Sequence, residues 1–461
     1  MRFPAGLLRN VVAKAKKRGI ELQIIDKRPE PAPVLPLPKS CSHFYDFQQE
    51  AIEAALKYKR GIIQIATSGG KTETAIGLAL RVNMPSLFLV DEKGLVRQAM
   101  KRWQKITGKH AGIIAEGKVD PRYFTVATLQ TLKQRLKTCH PEVVSYVKHS
   151  VGCVIFDEAH ILGAKSYFKT AVSIPNAAYR IGLSATPIGR SDKMDAYVIG
   201  ATGKPIYKMS ISALVARGKA AKATVIFYRY PGAKSLRMGA RPFHKLYRAG
   251  IVDEEARNRA ILRICMITPK PILIFFERQV HGYKLLNMIQ QLGLKVRLVQ
   301  GSSSGKERMQ LAHQLDRGKI DVLLCSKVFN KGTNIPGVRS GINAAGYKAV
   351  ITATQKLGRT MRITDFKTRF WFWDLVDAHH DTLLRHSQER ARVYKREGLD
   401  FHTVSKLQDA IQLFDAKVEP VMSTPEGEAT RASSESIAVV TAPPVYTLAP
   451  RMAFCEKGII S

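Results

Sequence analysis

Two short stretches carry side chains whose types and spacing could do chemistry. The first is Ala66-Thr67-Ser68-Gly69-Gly70-Lys71-Thr72, which follows an apolar run and precedes the helical pattern ETAIGLAL. A glycine-rich turn of this kind points backbone N–H groups out of a helix start, where the partial positive charge favours phosphate. Lys71 can then reach the terminal phosphates of a nucleotide, and the Thr72 hydroxyl can hold magnesium. The pattern G-x-x-x-x-G-K-[ST] is not met in full, because Ile65 stands at its first glycine position. Glycine turns between strand and helix also occur for packing reasons. The second stretch, Val151 to His160, is an apolar run that ends in Asp157 and Glu158. Asp157 can hold magnesium through water, and Glu158 can polarise an attacking water. Adjacent acids in a loop are commonly just solvated, but acids that close an apolar strand of a parallel sheet lie where such sheets bind ligands. Together the two stretches describe hydrolysis of a nucleoside triphosphate with Mg2+.

Chemistry of this kind needs a sheet that brings distant strand ends to one edge. Short apolar runs at 61–65, 86–90, 123–127, 151–156 and 180–183 alternate with helical patterns, which predicts a parallel sheet covered on both faces. A second series follows at 224–228, 272–276, 295–299, 322–325 and 370–376. The expected fold class is therefore α/β, with two similar units in tandem. Residues 1–40 form a short N-terminal module: a helix with Leu7, Leu8, Val11 and Val12, a strand over 21–25, and a linker with five prolines between Arg28 and Pro38. The units are expected at 41–218 and 219–400. Residues 401–461 form an extension, poorly ordered where Ser, Thr, Ala and Pro dominate from 423 to 450. Phe370-Trp371-Phe372-Trp373 sits at a strand position and is read as core. The run 379–395, with Arg385, Arg390, Arg392 and Lys395, is read as a basic surface, and His379, His380 and His386 as solvated.

Composition narrows the partner. Of 461 residues, 73 are Lys or Arg and 37 are Asp or Glu, a net charge of +36. That excess exceeds what solubility requires and suits a polyanion, although a basic, evenly solvated surface has the same formula. No apolar stretch approaches the roughly 18 residues of a membrane-spanning helix, so no membrane partner is expected. Six cysteines without paired spacing support neither a disulfide framework nor a zinc site. The N-terminus lacks a secretory signal. Arg2, Arg9, Lys14 and Lys16 without acids leave a transit peptide open, and a cytoplasmic location, in a bacterial or phage-infected cell, is the expectation.

Asp157-Glu158-Ala159-His160 is the tetrad of the DEAH-box helicases, and the chain resembles that branch of helicase superfamily 2 through further motifs in order. Phe44-Tyr45-Asp46-Phe47-Gln48 resembles the segment whose glutamine recognises adenine, with Gln48 in that place and Tyr45 where relatives often carry arginine. Ser184-Ala185-Thr186 resembles the S-A-T motif that links the nucleotide site to the nucleic-acid face. Residues 355–362 match Q-x-x-G-R-x-x-R with Gln355, Arg359 and Arg362. A guanidinium delivered from the second unit neutralises charge on the γ-phosphate in the transition state, an effect of about 10³–10⁵ in rate in related systems. The resemblance spans about residues 42–400 and implies two RecA-like domains that bind ATP and Mg2+.

The resemblance also implies a track that holds nucleic acid by its phosphates. Lys93, Arg97, Thr128 and Gln130 occupy it in the first unit. In the second, residues 301–308 and 327–336 do, with Lys327 and Lys331 as contacts and Gly332 and Asn334 coupling them to hydrolysis. The opening Phe3-Pro4-Ala5-Gly6-Leu7-Leu8, the turn Ile25-Asp26-Lys27-Arg28, and Gly250-Ile251-Val252 leading into Arg257-Asn258-Arg259 resemble the UvsW-like and XPB-like motors. That group implies a DNA-dependent ATPase that unwinds or branch-migrates single-stranded, forked or branched DNA in recombination, replication or repair. A duplex translocase that does not part the strands, an RNA helicase and a non-enzymatic nucleic-acid scaffold are the alternatives.

Overall fold

The computed structural model describes residues 3–26, 28–66, 69–185, 194–233, 235–236, 242–326, 337–347 and 369–415. Among these, two sheets account for the strands. The first contains β1 (Arg60–Ile65), β2 (Ser86–Val90), β3 (Gly112–Ala115), β4 (Lys118–Asp120), β5 (Phe124–Thr128), β6 (Cys153–Phe156), β7 (Tyr179–Ser184) and β8 (Pro205–Met209). Their order is β4-β3-β5-β2-β6-β7-β1-β8, parallel except for the β3–β4 hairpin. The second contains β9 (Lys222–Tyr228), β10 (Ile272–Phe275), β11 (Val296–Val299), β12 (Val322–Cys325), β13 (Ser340–Asn343), β14 (Arg369–Leu375) and β15 (Asp400–Val404). It is parallel throughout, in the order β11-β12-β10-β13-β14-β9-β15. The α/β expectation holds for both units.

The apolar runs become strands because both faces of each sheet are covered. Along β2, Phe88 and Val90 join the core shared with Ala75, Ile76 and Trp103, whereas Leu87 and Leu89 join the opposite one with Leu132, Val147 and Leu162. The aromatic run on β14 divides likewise: Phe370 and Phe372 pack on one face, Trp371 and Trp373 on the other. This period of two follows from the pleat. The run is core, as its position predicts. Trp373 Nε1 donates to Thr268 Oγ1 at 2.9 Å, so the one polar atom of that ring is satisfied inside.

Several expectations are corrected. Residues 21–25 form no strand; the segment instead docks through Arg28, whose guanidinium pairs with Asp26 and donates to the carbonyls of Ala177 (2.9 Å) and Ala178 (3.2 Å), just before β7. An alternating apolar pattern makes a strand only where a partner edge is free to pair. β15 and the helix Leu407–Asp415 carry the second unit past residue 400: β15 pairs with β9, and Val404 and Ala410 pack into the second sheet's core. In the helix Asp381–Arg396, Arg390 is fully buried and His386 nearly so; His379, before the helix, is also buried. His379 and His386 are therefore not solvated, and Arg390 belongs to no surface.

Arg390 is inside because two carboxylates meet it there. Its Nε and Nη2 donate to the two oxygens of Asp374 at 2.9 and 3.0 Å, and Arg257 Nε donates to Asp377 at 2.8 Å. Burial disfavours the charge on Arg390, yet Asp374 and Asp377 outweigh it and hold the guanidinium protonated well above its ordinary range. Asp374 also accepts from Tyr394 Oη (2.8 Å) and Asn343 Nδ2 (3.1 Å). Removing one member of a buried pair strands the other charge. Asp374→Ala is therefore expected to lower the unfolding free energy by about 3–5 kcal/mol, measured by urea denaturation. A change below about 1 kcal/mol, the scale of an exposed ion pair, would contradict this account.

Candidate nucleotide site

All parallel strands of the first sheet end on one edge, and the described candidate residues of the first unit lie at or beside it. β1 leads into the glycine loop, which hands over to the helix Lys71–Arg81 at Gly70. Gly70 has φ +77°, the left-handed region, and a Cβ there would collide with the Gln48 side-chain amide. Glycine is therefore required on two counts. Ala66 N–H donates to Met209 O at 3.0 Å, which ties the loop's start to β8.

Gln48 is buried in the helix Asp46–Tyr58. Its Oε1 accepts from Tyr45 N–H at 2.9 Å, and its Nε2 donates to the carbonyls of Gly69 (3.2 Å) and Gly70 (3.4 Å). The side chain thus fixes the loop's backbone as well as standing at the place implied for adenine recognition. Sequence reasoning missed that contact; the only signal for it was the nearness of Gln48 to an apolar helix face. Tyr45 stays partly exposed, stacked on Phe47 with a ring-centroid distance of 5.4 Å, and Lys219 Nζ lies 4.4 Å from its ring centroid.

Lys71 Nζ lies 3.0 Å from Glu158 Oε1, which brings together the two stretches the sequence singled out. Asp157 N–H donates to Leu89 O at 2.8 Å, so the acidic pair begins where β6 leaves its neighbour β2. Glu158 then turns through φ +47°, an uncommon conformation for a side-chain-bearing residue. Burial opposes the charge on Glu158, but Lys71 and His160 outweigh it and hold the carboxyl well below the usual range. Burial pushes Asp157 the other way, to about 6, with the Glu158 charge adding to the rise. Asp157 Oδ1 is buried without a hydrogen-bond partner. An orphaned anionic oxygen beside a second carboxylate suits a hard divalent cation, and Thr72 stands on the first turn of the loop's helix.

His160 Nδ1 lies 3.3 Å from Glu158 Oε2 and 3.4 Å from Ser184 Oγ. It bridges the acidic tetrad to the end of β7, while Gln64 Nε2 donates to Ala185 O at 3.1 Å from β1. Ser184 and Ala185 are therefore fastened to the same edge from both neighbouring strands.

The implied track residues of this unit follow along that edge. Val90 and Thr128 are register partners on β2 and β5, so Lys93 and Gln130 start neighbouring helices, both exposed. Arg97 is engaged by Glu116 at 2.9 and 3.0 Å across the surface. Thr128 is buried and caps its own helix, its Oγ1 accepting from Thr131 N–H at 3.1 Å and donating to Thr131 Oγ1 at 2.8 Å. Its hydroxyl shapes the helix start rather than facing solvent. Thr67, Ser68, Thr186, Lys327, Lys331, Gly332, Asn334, Gln355, Arg359 and Arg362 lie outside the described residues. Among the described residues no group of three or more His, Cys, Asp or Glu could hold a metal, and no helix is long and apolar enough to cross a membrane.

Comparison with known proteins agrees with this geometry. Residues 42–189 match the family model "Type III restriction enzyme, res subunit", and residues 256–364 match "Helicase conserved C-terminal domain". The DNA 3'-5' translocase XPB2 of Sulfurisphaera tokodaii is 26% identical over 385 residues, covering 76% of this chain and 84% of its own. The ATP-dependent DNA helicase uvsW of Enterobacteria phage T4 is 22% identical over 396 residues, covering 78% and 76%. Among solved structures, Saccharomyces cerevisiae Dbp5 bound to RNA and ADP BeF3 superposes with a TM-score of 0.55 at 16% identity, covering 80% of this chain and 92% of that one. That likeness concerns the fold. With the first model on the first sheet's unit, the helicase C-terminal model on the second, and the described motif residues of the first converging on a single edge, the chain belongs to the superfamily 2 helicases.

Proposed function

We propose that this chain is an ATP-driven motor that unwinds or branch-migrates forked and branched DNA. The observation that carries the reading is the convergence of Lys71, Glu158, His160 and Ser184 along one sheet edge, with Lys71 and Glu158 in contact at 3.0 Å. A group that senses the terminal phosphates, a group that orients water, and a bridge toward the track are thereby parts of one hydrogen-bonded line. ATP is the nucleotide and Mg2+ the cation. Thr72 and Asp157 would hold the cation, which supplies charge neutralisation on the phosphates. The residues do the rest: Lys71 anchors phosphate, Glu158 holds a water by its carboxylate, and Arg359 and Arg362 from the second unit complete the charge balance. The net charge of +36 suits a phosphate rail. The place of action is the cytoplasm of a bacterial or phage-infected cell.

A second reading, movement on duplex DNA without parting the strands, is favoured by the relative named a translocase, which the chain matches over 84% of its length. One experiment separates the two: strand displacement on tailed duplexes of both polarities, forks, four-way junctions and RNA duplexes, beside triplex displacement, with ATP hydrolysis followed in each. Displacement on forked DNA supports unwinding; triplex displacement alone supports translocation; activity confined to RNA duplexes removes the DNA assignment. No nucleic-acid-stimulated hydrolysis on any substrate would leave a basic scaffold. Binding is also expected to weaken with salt, log K falling against log salt with a slope near −0.9 per phosphate contacted on duplex. A flat response would remove the phosphate track.

A further inference from the structure

Beyond β13 the chain passes through Ala344, Ala345, Gly346 and Tyr347, at the end of the second sheet's parallel strands. Loop carbonyls normally face water. These four are instead taken one after another by buried side chains. Arg257 Nη1 donates to Ala344 O at 2.9 Å, and Tyr247 Oη donates to Ala345 O at 2.6 Å. Arg390 Nη1 donates to Gly346 O at 3.1 Å and to Tyr347 O at 3.4 Å. Asp377 and Asp374 hold the two guanidiniums from behind, and Tyr230 Oη donates to Asp377 Oδ1 at 3.1 Å. Gly346 has φ +61°, and a Cβ on it would stand 2.7 Å from Ile251 Cδ1 and 3.3 Å from both Arg257 Nη2 and Asp377 Oδ2. The backbone is therefore seated directly on the ion pairs.

Stability alone does not explain this arrangement, because well-packed apolar residues generally replace a buried ion pair without loss. What a rigid guanidinium fork adds is direction: each donor fixes the orientation of one peptide plane. The peptides so fixed are the last before the stretch that carries Gln355, Arg359 and Arg362. The cage also accounts for Gly250-Ile251-Val252 leading into Arg257-Asn258: Ile251 packs against Gly346, Arg257 reaches Ala344, and Asn258 Nδ2 donates to Val252 O at 3.0 Å.

We propose that Arg257, Arg390 and Tyr247, backed by Asp377 and Asp374, are positioning residues for ATP hydrolysis. They fix the peptides from Ala344 to Tyr347, the last described ones before the arginine-bearing stretch in the sequence. The inference rests on the finger reading of Arg359 and Arg362. Tyr247→Phe removes one hydroxyl from Ala345 O and leaves the ring in place. It is expected to lower kcat for DNA-stimulated hydrolysis roughly three- to tenfold, with KM for ATP, DNA affinity and thermal midpoint near the parent's. Arg257→Lys, which keeps a charge for Asp377 but loses the fork, serves if Tyr247→Phe does not fold.

A double-mutant cycle with Arg362→Ala decides the matter. If the cage acts through the arginine, Tyr247→Phe adds no further loss on an Arg362→Ala background. Losses that multiply overturn the proposal, as does a parent-like kcat for both cage variants. If Arg362→Ala alone turns over like the parent, the finger reading fails for that residue. Arg359→Ala then takes its place in the cycle, and losses that multiply there also overturn the cage.

Discussion

Glu158→Gln is expected to reduce ATP hydrolysis by about 10²–10⁴, the range over which a positioned acid–base group contributes, while leaving DNA binding and ATP affinity near the parent's. The side chain keeps its size, so any loss belongs to its charge. In the parent that charge lies 3.0 Å from Lys71 Nζ and 3.3 Å from His160 Nδ1, and the Lys71 charge together with the His160 contact outweighs burial and keeps the carboxyl ionised. An amide cannot polarise water as a carboxylate does, and it breaks the charged part of the bridge toward Ser184. Lys71→Ala should differ in kind: it removes a phosphate anchor used in the ground state as well as the transition state, so KM for ATP rises while kcat falls. Steady-state hydrolysis with and without DNA, beside filter binding, checks both. Hydrolysis at the parent rate in Glu158→Gln would remove the site assignment, and an effect confined to KM would move Glu158 from water activation to nucleotide binding.

How much of this could be read from the chain depends on where each residue sits in its sheet. β2 and β12 appear in the sequence with their observed bounds, as SLFLV and VLLC, because central strands are covered on both faces and read as continuous apolar runs. β13 is just as central, between β10 and β14, yet its sequence is Ser-Gly-Ile-Asn. Its neighbours' bulk buries it: a Cβ on Gly341 would meet Phe370 and Phe372 at 2.9 Å. No local pattern announces such a strand. β8 and β15 close the two sheets at an edge, and β4 hairpins back at another; edge strands need less apolar sequence and resemble loops.

Charged residues show the same limit more sharply. Lys71, Asp157 and Glu158 were legible because each follows an apolar strand whose end must lie on the ligand edge. Arg257 and Arg390 were not, since a lone arginine in a helix reads as surface until its partner is known. Their partners, Asp374 and Asp377, stand at and just past the end of β14, and only the parallel pairing of β13, β14 and β9 brings these segments together. Residues 21–25 failed for the converse reason: the pattern was local and correct, but among the described residues no strand pairs with it.

Arg362→Ala is expected to slow hydrolysis by about 10³–10⁵, the range for a guanidinium that meets transition-state charge in related phosphoryl transfers, with little change in ATP affinity. Among the described residues of the first sheet's edge, Lys71 is the cation proposed to reach the phosphates, and it already faces Glu158 at 3.0 Å. Charge that spreads over the γ-phosphate oxygens as the bond to the leaving group lengthens needs further neutralisation, and it needs it only in the transition state. A group that serves there changes kcat and kcat/KM together; a group that binds ATP at rest changes KM first. Single-turnover hydrolysis at saturating ATP therefore reads the finger directly. Lysine at this position should recover little, because a point charge lacks the planar fork that spans two phosphate oxygens. A pure loss of affinity, or full rescue by Arg362→Lys, would assign the residue to nucleotide binding and leave Arg359 as the one to test.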